Sequence, residues 1–336
     1  MTRRTRPSSP PRRAALASLA VLAGGAALSP AAFAQQAWPA GKPVRLVLPS
    51  GAGGGADVFA RFMADGLSKE LGAQFIVENR PGATGLVAAA EVARAAPDGF
   101  TLLVSFTAAT VANKLLMLKP VVDPLGFTPI GRIGGGGGNM IIVNPELPVK
   151  NMAELVAYVK SKPGLSYASW GIGSGGHLVM EHLKKQTGMD LTHVPYKTVA
   201  QIPPDVISGV MPIATIDSAS PLPHIRSGRV RPIAAISQTR LPQIPDVPTL
   251  PQQGLVLEAQ SWYGLFGPPG MPEALTQRIS TVLNRWCVQP ETVAFFAEKQ
   301  NGPPPIPTTP AEFRKVIESD LVSWKALIDA AGIQPQ

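Results

Sequence analysis

The chain is poor in cysteine, in charge and in aromatic rings. Cys287 is the one cysteine among 336 residues, so no internal disulfide can form in any compartment. Its neighbours Leu283 to Val288 read as a helix end, which makes it a buried bystander. Only 15% of positions are charged against 45% hydrophobic, a balance that excludes a disordered chain and can furnish the core of one large or two medium domains. No run of Lys and Arg interleaves with aromatics, which argues against nucleic acid as a partner. Beyond the N-terminus there is no strongly apolar stretch of the ~20 residues that a membrane helix needs.

What is present begins with a processing pattern. Arg3, Arg4, Arg6, Arg12 and Arg13 precede an apolar stretch from Ala14 to Leu28, and Ala32-Phe33-Ala34 has the small-x-small spacing of a signal-peptidase site. The pattern predicts a signal peptide over 1–34, cleaved after about Ala34, and an exported, otherwise soluble protein. Its removal takes five arginines and no acid, lowering the net charge from +8 to about +3. Arg12-Arg13 keeps a twin-arginine route open beside the general one.

Strand-like runs then alternate with helical spacing, the pattern of an α/β fold with sheets flanked by helices. Val44 to Leu48, Phe75 to Val77 and Thr101 to Val104 read as strands, and Val58, Phe59, Phe62, Met63, Leu67 and Leu71 recur at helical spacing before Gly72. Gly134 to Gly138 interrupt the rhythm and read as a crossing between two lobes, since five glycines lose much backbone entropy on ordering. A second series follows, with Asn151 and Glu154 as a capping pair for a helix over Met152 to Lys160. Strands are expected at 165–169, 191–194 and 212–217, with a helix from His177. The Pro- and Gln-rich stretch Ile233 to Val256 reads as a long surface connection. Three helical patterns over 272–286, 291–299 and 311–330 are expected to pack on the first lobe. The division predicted is 35–137 with 260–336 for lobe 1 and 138–259 for lobe 2.

Two loops share one grammar of strand, glycines and helix start. Ser50-Gly51-Ala52-Gly53-Gly54-Gly55-Ala56 precedes the first helix, and Trp170-Gly171-Ile172-Gly173-Ser174-Gly175-Gly176 precedes the helix from His177. A helix start leaves about four amides unpaired and carries about half a positive charge, so each loop is a plausible carboxylate cradle. Gly171-x-Gly173-x-x-Gly176 also matches the dinucleotide fingerprint, with Glu78 and Asp190 as candidate ribose acids. An exported dinucleotide-binding oxidoreductase is therefore the alternative reading, although nicotinamide cofactors are scarce outside the cytoplasm. Catalytic residues are not expected: Ser174 lacks the G-x-S-x-G setting, even with His177, His182, His193 and Asp217 imagined around it. No metal is expected either, because His177 and His182 are five apart where one helical face needs three or four. No cofactor is predicted.

The same segments resemble the Bug family, the extracytoplasmic solute receptors of tripartite tricarboxylate transporters, over essentially the whole exported chain. The resemblance rests on Pro43 to Pro49, Asp57-Val58-x-Ala60-Arg61, Glu78-Asn79-Arg80-Pro81-Gly82-Ala83, Ala96-Pro97-Asp98-Gly99, Tyr167-Ala168-Ser169, His193-Val194-Pro195-Tyr196-Lys197, Leu222-Pro223-His224-Ile225, Pro245-Asp246-Val247-Pro248-Thr249 and Ser261-Trp262-Tyr263-Gly264. It implies a periplasmic, two-lobed, Venus-flytrap-like fold of the type II kind and a carboxylate held by both loops. It also implies membrane transporter subunits as partners, a monomeric state and no enzymatic activity. Several residues depart from the family pattern. Ser50, Gly51 and Ala52 replace an aromatic and two prolines, Trp170 replaces a small residue, and Gly175-Gly176 replace bulkier side chains. Thr198 and Ser218 are further departures, and together these count against a common family ligand. Trp170 either narrows the cleft, stacks on an aromatic acid or packs outward.

The candidate ligand site thus comprises Ser50 to Ala56, Trp170, Gly171, Gly173, Ser174, Gly175 and Gly176. Thr84, Ser105 and Thr107 would add hydroxyls. Asp217 either accepts from a ligand amine or hydroxyl, orders a water, or caps a helix. Tyr196 is expected to line the cleft, and Lys197 to do so or to stay solvated.

Overall fold

A computed structural model describes residues 1–2, 38–82, 85–118, 120, 123–134, 138–255 and 261–335. The chain divides into two units, Met1–Trp38 and Pro39–Gln336, and every element below belongs to the second. The predicted signal segment, Thr84 and three of the five consecutive glycines lie outside the described residues.

Two five-stranded mixed sheets organise the unit. In the first, β1 (Val44–Leu48) runs parallel to β2 (Phe75–Asn79) and β3 (Thr101–Phe106). The chain then forms β4 (Thr128–Arg132), and β10 (Tyr263–Gly267) inserts antiparallel between β3 and β4. In the second, β6 (Ser166–Ser169) is parallel to β7 (Thr192–Pro195) and β8 (Ile213–Asp217), while β5 (Asn139–Val143) inserts antiparallel between β8 and β9 (Arg231–Ile236). The sheet orders, β2-β1-β3-β10-β4 and β7-β6-β8-β5-β9, have the same layout. Each sheet with its helices forms a lobe, and the chain passes between them after β4 and again after β9.

The helices follow the sequence signals closely. α1 (Gly55–Leu71) buries Phe59, Met63 and Leu67 and stops at Gly72, whose φ of 61° suits a residue without a Cβ. α2 (Leu86–Ala93) covers the first sheet. A short α3 (Asn113–Leu116) follows a π-helical turn at Ala108–Ala112. α4 (Met152–Ser161) is capped by the Asn151 side chain, which accepts from the Glu154 amide at 2.9 Å. α5 (Gly175–Thr187), α6 (Ile202–Ser208) and α7 (Leu222–Arg226) complete the second lobe.

Two expectations need correction. The segment from Ile233 is not all surface connection: Arg231–Ile236 is strand β9 with Ile233 to Ala235 fully buried, and Pro232 hid it. α8 (Glu273–Cys287), α9 (Pro290–Glu298) and α10 (Pro310–Ala331) do not all keep to the first lobe: the Ala297 carbonyl of α9 accepts from Gln243 Nε2 at 3.2 Å. α10 packs against β4 on one side and α5 on the other, so Phe313, Ile317 and Trp324 share a core with Leu178 and Val179. Cys287 is buried and free, and burial pushes its thiol up to about 12. Among the described residues no helix is long and apolar enough to cross a membrane.

Candidate functional site

The two glycine loops line the same two cavities. A Cβ on Gly51 would lie 3.2 Å from Thr198 Cγ2, one on Gly54 3.8 Å from Val199 Cβ, and one on Gly55 2.9 Å from Asp217 Oδ1. The first lobe's helix start is thus in van der Waals contact with the second lobe. Two cavities flank this contact, of about 650 and 1140 Å³ of empty space, and both are lined by Ser50, Gly54, Phe106, Trp170 and Val199. The smaller also reaches Gly55, Ala56, Thr107, Asn139, Gly175 and Asp217, with Ser261, Trp262 and Tyr263 from the start of β10. The larger reaches Gly51, Ala52, Gly171, Tyr196 and Lys197.

The first loop is held from behind. The buried carboxylate of Asp57 accepts from the Gly53 amide at 3.0 Å, from Arg61 Nε at 3.0 Å and from Asn79 Nδ2 at 2.9 Å. Burial alone raises the Asp57 pKa, but these donors outweigh it and hold the group below the usual carboxylate range. Asn79 also donates to the Ser50 carbonyl, tying the loop to β2. Gly54 is the N-cap and carries no capping side chain. Among the described residues, the amides of Gly55 and Ala56 have no protein acceptor, and both residues line the smaller cavity.

The second loop is built alike: its helix's third residue takes the amide two before the helix start, and among the described residues the amides of Gly175 and Gly176 have no protein acceptor, though only Gly175 lines a cavity. Gly173 N–H donates to His177 Nδ1 at 3.1 Å, and the Ser174 hydroxyl caps α5 by accepting from the His177 amide at 3.2 Å. Ser169 Oγ stands 2.7 Å from His193 Nε2 and 3.2 Å from Ser174 Oγ, and the His177 and His193 rings stack at 4.1 Å. Burial, followed by the charges of His177 and Lys184, pushes His193 down to about 3, and burial lowers His177 as well. The Trp170 indole lies over the start of α5, where a Cβ on Gly176 would come within 2.6 Å of its Cζ3 and 2.5 Å of Thr215 Oγ1. The third fingerprint glycine therefore makes room for a ring of this chain.

Comparison with known proteins gives this arrangement its place. The model of the tripartite tricarboxylate transporter family receptor matches residues 59–333. The chain belongs to that family. A UPF0065 protein of Bordetella pertussis is 33% identical over 88% of this chain and 91% of its own. Among solved structures, Rpa4515 of R. palustris with adipate superposes with a TM-score of 0.83 at 30% identity, covering 89% of this chain and all of that one. The periplasmic binding protein BugD superposes with a TM-score of 0.81 at 29% identity, covering 88% and 99%. This is a family of solute-binding receptors and not of enzymes.

In this receptor the predicted site residues separate into two groups. Ser50, Gly51, Ala52, Gly54, Gly55, Ala56, Thr107, Trp170, Gly171, Gly175, Tyr196 and Asp217 line one or both cavities. Gly53, Ser105, Gly173, Ser174 and Gly176 do not. The Gly53 and Gly173 amides serve Asp57 and His177, Ser105 is buried in β3 opposite Gly264, Ser174 is a cap, and Gly176 lies under Trp170. Thr84 is outside the described residues. Thr107 accepts from the Trp262 amide at 2.9 Å. The Tyr196 hydroxyl donates to Asp205, and burial followed by that bond pushes it up to about 12.

Asp217 combines two roles. Its Oδ1 accepts from the amides of Ala219 at 3.0 Å and Ser220 at 2.9 Å, while the buried Oδ2 has no hydrogen-bond partner. Burial raises its pKa against the pull of those amides. Next to it, Ser218 Oγ donates to the Gln300 carbonyl at 3.0 Å, and Gln300 Nε2 donates to the Gly55 carbonyl at 3.0 Å. Asn301, buried at a left-handed φ of 47°, accepts from the Gln243 amide at 2.7 Å and donates to the Ser218 carbonyl. This strap fixes the second lobe against the start of α1.

Sequence reasoning did not single out Asn139, Phe106 or Val199, which carry no local motif. Ser261, Trp262 and Tyr263 appeared only within a family signature. Of the two candidate ribose acids of the dinucleotide alternative, Glu78 is engaged within the protein, accepting from Arg45 at 2.7 Å and from Arg80 at 2.8 Å. Of the imagined hydrolase group, Ser174, His177 and His193 do assemble, but as the buried brace of a loop. Among the described residues no cluster of His, Cys, Asp and Glu is suited to a metal ion.

Proposed function

We propose that this receptor is exported, captures a small carboxylate-bearing metabolite between its lobes and presents it to the membrane subunits of a tripartite tricarboxylate-type transporter. The observation that carries the reading is the start of α1, where two amides without a protein acceptor meet a cavity walled by both lobes. A charged hydrogen bond contributes about 1.5–3 kcal/mol, so a few of them account for micromolar capture at about −8 kcal/mol. The adipate-bound relative supports a carboxylate as the ligand class. The lobes comprise 35–137 with 260–336 and 138–259, behind a signal peptide over 1–34 cleaved after about Ala34. The mature protein acts as a periplasmic monomer.

A ligand touching both lobes favours the closed form only by its differential affinity for closed and open states. That closed form is the surface a membrane partner would read. Thermal-shift screening of the exported protein against mono-, di- and tricarboxylates, with NAD as counter-probe, tests the reading. A carboxylate at 100 times its Kd stabilises by about 2.7 kcal/mol. Stabilisation by NAD and by no carboxylate would refute it.

A further inference from the structure

The smaller cavity says more about its ligand than that it bears a carboxylate. Its donor end is the start of α1, where Gly55 and Ala56 offer amides that no protein group accepts among the described residues. A carboxylate bound there falls within a few ångströms of the Asp217 carboxylate, whose Oδ1 is 2.9 Å from the position of a Cβ on Gly55. Two anions so placed in a partly enclosed site repel. Asp217 cannot be withdrawn cheaply, because Oδ1 holds the Ala219 and Ser220 amides. Its Oδ2 is buried and unpartnered, an acceptor lacking a donor.

A cationic donor on the carbon next to the ligand carboxylate resolves both problems. It lies between the two anions and supplies the bond that Oδ2 lacks. The larger side chains of the remaining wall are the rings of Phe106, Trp170, Trp262 and Tyr263, with Val199, interspersed with the uncharged polar residues Ser50, Thr107, Asn139 and Ser261. Among the described residues no Lys, Arg or His lines this cavity, and Lys197 lines only the larger one. A second carboxylate on the ligand would enter without a counter-ion and beside Asp217.

We propose that the ligand is a 2-amino acid with a planar apolar side chain, its carboxylate on the start of α1, its ammonium against Asp217 and its side chain among the rings. The proposal rests on the receptor reading above and narrows it.

Calorimetric titration of the protein purified from the periplasm with phenylalanine, 3-phenylpropanoate and adipate tests it. Phenylalanine is expected to bind at least about tenfold tighter than 3-phenylpropanoate, the same skeleton without the amine. Asp217→Asn, which keeps an acceptor for Ala219 and Ser220, should abolish that preference. Trp170→Ala should weaken phenylalanine by about fivefold while leaving the amine preference intact, so the ring wall is tested even if the Asp217 variant does not fold. Adipate binding tighter than phenylalanine, or a preference that survives Asp217→Asn, overturns the proposal and leaves the carboxylate receptor standing. Failure of all three acids to bind overturns the proposal, and the wider carboxylate screen above then decides separately whether the receptor reading stands.

Discussion

The loop before α1 and the loop before α5 share one sequence grammar and one brace, and they differ in how far their free amides are covered. In each, the third residue of the helix, Asp57 or His177, takes the amide two before the helix start, and two amides are left without a protein acceptor among the described residues. Gly55 and Ala56 both line the smaller cavity, whereas of Gly175 and Gly176 only the first does, because the Trp170 indole lies over the second. A glycine-rich helix start therefore offers an anion site only as far as its neighbours leave its amides open. Trp170 and Gly176 belong together, because the indole occupies the room that a side chain at 176 would need.

Substitutions can break this contrast. Gly176→Val should have the largest effect on stability, about 3 kcal/mol, because the new Cβ meets Thr215 Oγ1 and the indole well inside contact distance. Denaturant unfolding measures the loss, and adding Trp170→Ala should recover part of it; two independent costs would separate the residues. Asp57→Ala should cost about 2 kcal/mol by stranding the Gly53 amide and Asn79, and should weaken carboxylate binding. Ser174→Ala should cost about 1 kcal/mol, the usual value of a lost N-cap, with affinity little changed. Equal losses of affinity in these two variants would erase the distinction between the loops.

Acid sharpens the contrast from the other side, with the smallest effect near neutrality. His193 is held neutral with a folded pKa of about 3, below the ordinary 6.5. Between those values the unfolded chain binds a proton that the folded chain refuses, so stability falls as pH is lowered through that window and is unaffected above it. Thermal unfolding from pH 7 to pH 4 should show a slope that His193→Asn reduces, while Asp57→Asn leaves the His193 contribution in place.

Much of the fold was legible in the sequence. The apolar runs at Val44 to Leu48 and Thr101 to Val104 became β1 and β3, and Asn151 with Glu154 capped α4 as its spacing implied. β4, β9 and β10 escaped because Pro129, Pro232 and Gly264 lower local strand propensity, and long-range pairing supplies what propensity lacks. The site was legible where it is backbone and opaque where it is tertiary. Glycines announced both helix starts, but nothing local reveals that Asp217 lies against Gly55 or that His177 Nδ1 takes the Gly173 amide.

On this reading the start of α1, open to the cavity at both amides, is the anion cradle, and the start of α5, covered at Gly176, is its lesser counterpart. Amide NMR during titration with phenylalanine, and in parallel with adipate, tests it directly. Gly55 and Ala56 should show the large shifts of amides that gain a charged acceptor, with Gly53 and Gly173 nearly still. Large shifts at Gly173 with Gly55 and Ala56 unmoved would contradict the account.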